Sequence, residues 1–179
     1  TLHSVHEVIF KMRKLHQPII AIVKGAVAGA GVSLMSACDL VIASEESFFT
    51  LAYCNLGVSP DGGSTYHLPR MVGMKRAFEI ALLGNRFDAA TAEKWGLINW
   101  VFSTKELDSE ANKIVLRLAT GPTQAHGHAK ALLNESLNNT INTQLNNEIS
   151  SFVDCTETFD FTEGVTAFIE KRKATFKGR

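Results

Sequence analysis

Residues 19–39 read Ile-Ile-Ala-Ile-Val-Lys-Gly-Ala-Val-Ala-Gly-Ala-Gly-Val-Ser-Leu-Met-Ser-Ala-Cys-Asp. Ile19–Val23 is a mostly β-branched apolar run of the kind that forms a buried strand. A small-residue loop, Gly25–Gly31, follows it, and the spacing predicts a helix over roughly Val32–Cys38. Small residues at a helix start let backbone N–H groups approach a ligand closely, and the helix dipole favours negative charge there. That geometry suits a carbonyl oxygen that becomes an oxyanion. Downstream, Leu56-Gly-Val-Ser-Pro-Asp-Gly-Gly-Ser64 puts one carboxylate, Asp61, in a turn.

Working outward, Val5, Val8, Ile9, Met12 and Leu15 share one face and predict a helix over Leu2–Leu15. Leu40–Ala43 and Ser47–Leu51 read as short strands, giving the β-loop-α-β order of an α/β core. Helices are expected over Thr65–Met71 and Met74–Leu83. Asp88 reads as the N-cap of a helix over Ala89–Trp95 that Gly96 ends, and Leu97–Phe102 as a strand. From Thr104 the pattern is helical: Glu106–Ala119, Thr123–Ser136, Ile141–Glu157 and Thr162–Phe176, with a break at Gly121-Pro122. The expected organisation is an α/β core over 1–103 and a helical region over 104–179, with no repeat and no separating linker.

Eighteen basic and eighteen acidic residues among 179 cancel. A neutral chain without a basic stripe argues against nucleic acid or an anionic membrane as the main partner. No apolar run approaches the ~20 residues of a spanning helix. Cys38, Cys54 and Cys155 are odd in number and widely spaced, which fits reduced thiols and an intracellular, cytoplasmic setting. The first residue is Thr1 rather than Met, so a piece of a longer protein is expected. His3 and His6, and His126 and His128, lack matching carboxylate or cysteine ligands, so no metal site is expected.

Four segments carry a family resemblance: Lys24–Asp39, Leu56–Gly73, Ala92–Val101 and Gly164–Arg172. In this order they resemble signatures of the crotonase (enoyl-CoA hydratase/isomerase) superfamily. The resemblance implies an α/β spiral of ββα turns followed by a helical C-terminal trimerisation region, with the N-terminal part of the spiral missing from this sequence. It implies acyl-CoA thioester substrates, a homotrimer or dimer of trimers, and no cofactor beyond the CoA carried by the substrate.

The resemblance also assigns residues. The Ala30 N–H, flanked by Gly29 and Gly31, matches the second of two oxyanion donors; the first lies outside this sequence. Gly29, Gly31, Ser33 and Tyr53 are expected to contact the substrate. Ser33 and Tyr53 stand where hydratases carry two glutamates, which argues against water addition, since a serine hydroxyl stays protonated near neutral pH. Asp61 matches the catalytic carboxylate of enoyl-CoA isomerases and of the ring-epoxide isomerase of phenylacetate breakdown. The expected reaction is a shift of a 3-enoyl-CoA double bond to the 2-position. Ring-epoxide isomerisation, hydration and a non-catalytic scaffold role are the alternatives. Phe48, Phe49, Leu51, Leu56 and Phe78 are candidate apolar walls, and His67 points either into the pocket or into solvent. Phe168 and Lys171, three apart on the last helix, are expected to share a face and contact the pantetheine and a phosphate.

Overall fold

Two three-stranded sheets and the helices around them follow from the alternation of short apolar runs with small-residue turns. In chain order the elements begin with α1 (Leu2–Lys14), β1 (Ile20–Val23), β2 (Ala26–Ala28), α2 (Ala30–Ser36), β3 (Leu40–Ser44) and β4 (Phe48–Thr50). A 3-10 turn at Tyr53–Leu56 leads to α3 (Ser64–Leu83), β5 (Phe87–Asp88), α4 (Ala89–Lys94), β6 (Trp100–Phe102) and α5 (Leu107–Ala119). The chain ends with α6 (Thr123–Ser136), α7 (Ile141–Thr156) and α8 (Phe159–Ile169). The computed structural model describes residues 2–179, which divide into two units: residues 2–13 with Ile19–Asn112, and Lys14–Pro18 with Lys113–Arg179.

In the first unit β1, β3 and β6 form a parallel sheet, with Ile20 opposite Leu40 and Ile42 opposite Trp100. Parallel pairing buries both faces, and Val41, Ile42 and Ala43 are buried accordingly. Asp39 closes the connection from α2: its Oδ2 accepts from the Ile19 N–H at 2.7 Å, and its own N–H donates to the Ile19 carbonyl at 2.9 Å. In the second sheet β2 pairs in parallel with β4, Val27 opposite Phe49, and β5 pairs antiparallel on the other side of β4. Phe49 is fully buried and stacks on Phe87 at 5.6 Å.

Several features of this unit depart from the expected pattern: β5 is not among the expected strands, and α2 starts at Ala30 rather than Val32. Ala26–Ala28 is a strand rather than part of the loop. The helix after the Asp61 turn is one element, Ser64–Leu83, broken at Gly73 (φ 75°, ψ 161°), close to the expected division. Of the apolar face expected on α1, Ile9 is buried while Val5 and Val8 stay exposed.

In the second unit, Thr140 caps α7 by accepting from the Thr143 N–H, and Thr158 caps α8 by accepting from the Phe161 N–H. The last helix stops at Ile169, so the expected helix to Phe176 is corrected. Lys171 takes a left-handed conformation (φ 55°), and the N–H groups of Lys171 and Arg172 donate to the Phe168 and Ala167 carbonyls, a two-bond helix stop. The chain beyond it is fastened back onto α8. Arg172 grips both carboxylate oxygens of Glu163 at 2.6 and 2.9 Å, and the Thr175 N–H donates to the same carboxylate. These bonds, Arg172 foremost, pull the Glu163 carboxyl down to about 2. Asp160, buried, accepts from the Lys177 and Gly178 N–H groups at 2.7 and 2.8 Å. Among the described residues no helix is long and apolar enough to cross a membrane.

Candidate active site

The β2–α2 connection turns at Gly29, whose φ of 50° lies in the region open to glycine. The Gly29 N–H donates to the Thr50 carbonyl at the end of β4 (3.0 Å), and its carbonyl accepts from Val32 and Ser33 as α2 begins. Ala30 and Gly31 are the first residues of the helix and are exposed. Among the described residues no acceptor takes their N–H groups, as expected for the first turn of a helix. Ala30 thus carries a main-chain N–H without an acceptor at the helix start, with Gly29 and Gly31 on either side.

Ser33 lies one turn further along α2 and is 1% exposed. Its hydroxyl donates to the main-chain carbonyl of Asp61 at 2.8 Å. The same carbonyl accepts from the Ser64 hydroxyl at 3.0 Å and the Ser64 N–H at 3.3 Å. The Asp61 side chain is held by Tyr53, whose Oη also lies 3.5 Å from the Ser33 hydroxyl. Tyr53 Oη donates to Oδ1, and among the described residues no donor reaches Oδ2. Burial first, and then the bond to Asp61, raise the Tyr53 phenol above its ordinary value. It therefore stays protonated near neutral pH and acts as a donor. Ser33, Tyr53 and Asp61, placed by sequence, are thus one cluster holding a single carboxylate.

The turn carrying Asp61 is pressed onto α2. Gly62 (φ 61°) is buried, and a Cβ there would lie 2.8 Å from the Ser33 Cβ and 3.7 Å from Ile9 Cδ1. Behind it His67 is buried, so the alternative of a solvent-facing imidazole is settled against. Burial, then the charges of Arg13 and Arg70, push His67 down to about 4. Leu51 and Phe78, two of the expected walls, line one apolar cavity of about 210 Å³ with Leu68 and Met74. Two other expected walls are corrected: Phe49 is sealed in the core against Phe87, and Leu56 is 78% exposed.

Phe168 and Lys171 belong to the second unit. Phe168 is 85% exposed on α8, whereas Lys171 lies past the helix end, so the two do not share a helical face. Ser64, Gly62 and His67 were not assigned roles by sequence. The Gly-Gly-Ser run before an apolar helix is the signal that marks the first two. Among the described residues no group of three or more His, Cys, Asp or Glu is placed to hold a metal ion.

A family model described as enoyl-CoA hydratase/isomerase matches residues 2–179. The 1,2-epoxyphenylacetyl-CoA isomerase of Escherichia coli (strain K12) is 39% identical over 169 residues, covering 94% of this chain and 64% of its own. 4-Chlorobenzoyl coenzyme A dehalogenase-1 of Arthrobacter sp. is 30% identical, over 93% of this chain and 60% of its own. The crystal structure of an enoyl-CoA hydratase from Polaromonas sp. JS666 superposes with a TM-score of 0.94 at 35% identity, over 99% of this chain and 69% of that one. The chain thus spans less than two thirds of the length of these two curated relatives. With the α/β architecture and the match along its length, the chain belongs to the enoyl-CoA hydratase/isomerase family.

Proposed function

We propose that this chain carries the acid–base centre of an acyl-CoA isomerase that moves a 3-enoyl double bond to the 2-position. The observation that carries the reading is the single carboxylate of the cluster: Asp61, with one oxygen held by Tyr53 and Oδ2 open. Oδ2 takes the proton from C2 of the thioester. The C–H electron pair becomes the C1=C2 π bond as the carbonyl π pair moves onto oxygen, giving a dienolate whose oxygen accepts from the Ala30 N–H and from a first donor outside this sequence. Asp61 then returns the proton to C4, and the double bond settles between C2 and C3. The bond from Tyr53 fixes which oxygen faces the substrate. No electrons leave the substrate, so the reading calls for no cofactor beyond the CoA that arrives with it.

Ser33 supports this reading over hydration, because its proton is committed to the Asp61 carbonyl and the hydroxyl does not act as a base. The similarity to 1,2-epoxyphenylacetyl-CoA isomerase favours a second reading, ring-epoxide isomerisation at the same carboxylate. Assembly as a homotrimer or dimer of trimers is also proposed. Its support is the exposed apolar stripe Ile141, Leu145, Ile149 and Phe152 along α7, which a neighbouring subunit would bury.

The test follows a 3-enoyl-CoA, beside a ring-epoxide acyl-CoA, in the full-length protein and in Asp61→Asn. Turnover of the 3-enoyl-CoA should fall by about 10²–10⁴ in the variant, with acyl-CoA binding kept. Turnover of the epoxide alone would favour the second reading, and equal turnover in both proteins would remove Asp61 from the chemistry. Formation of a 3-hydroxyacyl-CoA would point to hydration.

A further inference from the structure

We propose that Ser33 is a positioning residue: by binding the main-chain carbonyl of Asp61 from within α2, it locks the base to the helix that presents the oxyanion donor. This rests on the isomerase reading for its kinetic consequence, though not for its geometry. Four observations converge on it. Ser33 is 1% exposed, and its hydroxyl donates at 2.8 Å to a backbone atom rather than pointing into open space. Ser64, fully buried, adds two further donors to the same carbonyl, at 3.0 and 3.3 Å. Gly62 leaves no room for a Cβ against Ser33, so the turn closes directly onto the serine. Ala30 lies three residues before Ser33 on the same helix, so a rigid turn of α2 separates the oxyanion donor from the hydroxyl that holds the base.

The main chain of Asp61 is thus held by Ser33 and Ser64 and its side chain by Tyr53, whose Oη lies 3.5 Å from the Ser33 hydroxyl. Ser33 and Ser64 fix where the carboxylate is rooted, and Tyr53 fixes which way it points. A proton shift between C2 and C4 needs one oxygen to reach two carbons in turn while the thioester oxygen stays seated. Such a reaction depends on the distance between base and oxyanion donor, and a displacement of about 1 Å costs on the order of 10²-fold in rate. Ser33 supplies that distance without touching the substrate.

The test compares Ser33→Ala with Ser36→Ala in the full-length protein. Ser36 is as buried on the same helix, but its hydroxyl bonds the Val32 carbonyl of its own turn. Ser33→Ala should lower kcat by about 10–10²-fold with KM nearly unchanged, and Ser36→Ala should leave kcat unaltered. A Ser33→Ala effect confined to KM would make the serine a substrate contact. Equal kcat losses in both variants would make it a generic buried hydroxyl. Either result overturns the proposal. Amide hydrogen exchange over residues 61–64 gives an arm that needs no activity. Ser33→Ala should speed exchange there by roughly fivefold, the worth of one hydrogen bond, and Ser36→Ala should not. Unchanged exchange overturns the lock whatever the reaction proves to be. Faster exchange in a protein that isomerises nothing sustains the lock and removes the isomerase reading instead.

Discussion

Tyr53 Oη donates its proton to Oδ1 of Asp61 across 2.5 Å, joining two residues eight positions apart. The chain between them runs out through exposed Asn55–Ser59 and returns. The bond gives the carboxylate a fixed orientation and a permanent donor, because the phenol is raised above 10.0. Replacing Tyr53 by Phe removes a hydrogen bond to a charged group, worth about 1.5–3 kcal/mol. A fall in kcat/KM of about 10–10² is expected. In the unmodified protein, ionisation of Tyr53 should cause no loss of activity between pH 7 and about 10. An alkaline limb in that window that vanishes in Tyr53→Phe would contradict this assignment.

Gly62→Ala sets a methyl group against the Ser33 Cβ at 2.8 Å, in a backbone conformation (φ 61°) that disfavours side chains. The two penalties together are expected to cost about 2–4 kcal/mol. The urea midpoint should fall, and kcat should fall with it, because relief of the clash pushes Asp61 away from α2. A variant as stable and as active as the parent would show that the turn has slack.

His67 makes the protein sensitive to acid. Its folded-state value of about 4 lies below the ordinary 6.5, so the unfolded chain takes up the proton first as pH falls. The stabilising contribution of the neutral imidazole is complete above pH 6.5. It is lost progressively as pH drops towards 4, up to a limit on the order of 3 kcal/mol. Urea unfolding at pH 7, 5.5 and 4 should show this slope, and His67→Gln should flatten it. Identical slopes in the two proteins would place the titrating group elsewhere.

Asp160 fastens the C-terminal residues by accepting from the Lys177 and Gly178 N–H groups. Asp160→Asn keeps the shape but turns an NH₂ group towards one of those donors. A loss of about 1.5–3 kcal/mol in the second unit is expected, together with faster amide hydrogen exchange at Lys177 and Gly178. Unchanged exchange would show that Glu163 and Arg172 hold this segment unaided.

Much of this was legible in the sequence, and the exceptions share a cause. β1, β3 and α6 followed from periodicity and composition, because each is long or apolar enough to declare itself. Ala26–Ala28 was not legible, since two alanines and a valine carry no strand signal. It is a strand because Val27 meets Phe49 across the ladder. The stop at Lys171 was hidden because no glycine marks it; Glu163 and Arg172 hold the chain there from a distance. At the site, the family resemblance picked out Ser33, Tyr53 and Asp61. What a matched position does not encode is which atom of Asp61 Ser33 reaches. That atom is a backbone carbonyl, which every residue type would offer equally.

The ladder of β2 on β4 ends in the bond from Gly29 to Thr50, with Ala30 two residues beyond one strand and Tyr53 three beyond the other. The proposed oxyanion donor and the phenol that orients the Asp61 carboxylate are thus set by one shared register. Adding or deleting a residue on either arm would slip the ladder and turn every side chain to the opposite face. Length is therefore frozen over 26–30 and 48–53, whereas the exposed Leu137–Asn138 corner between α6 and α7 has room to grow. New chemistry can enter this scaffold by exchanging side chains at 33, 53 and 61, but not by lengthening the segments that carry them.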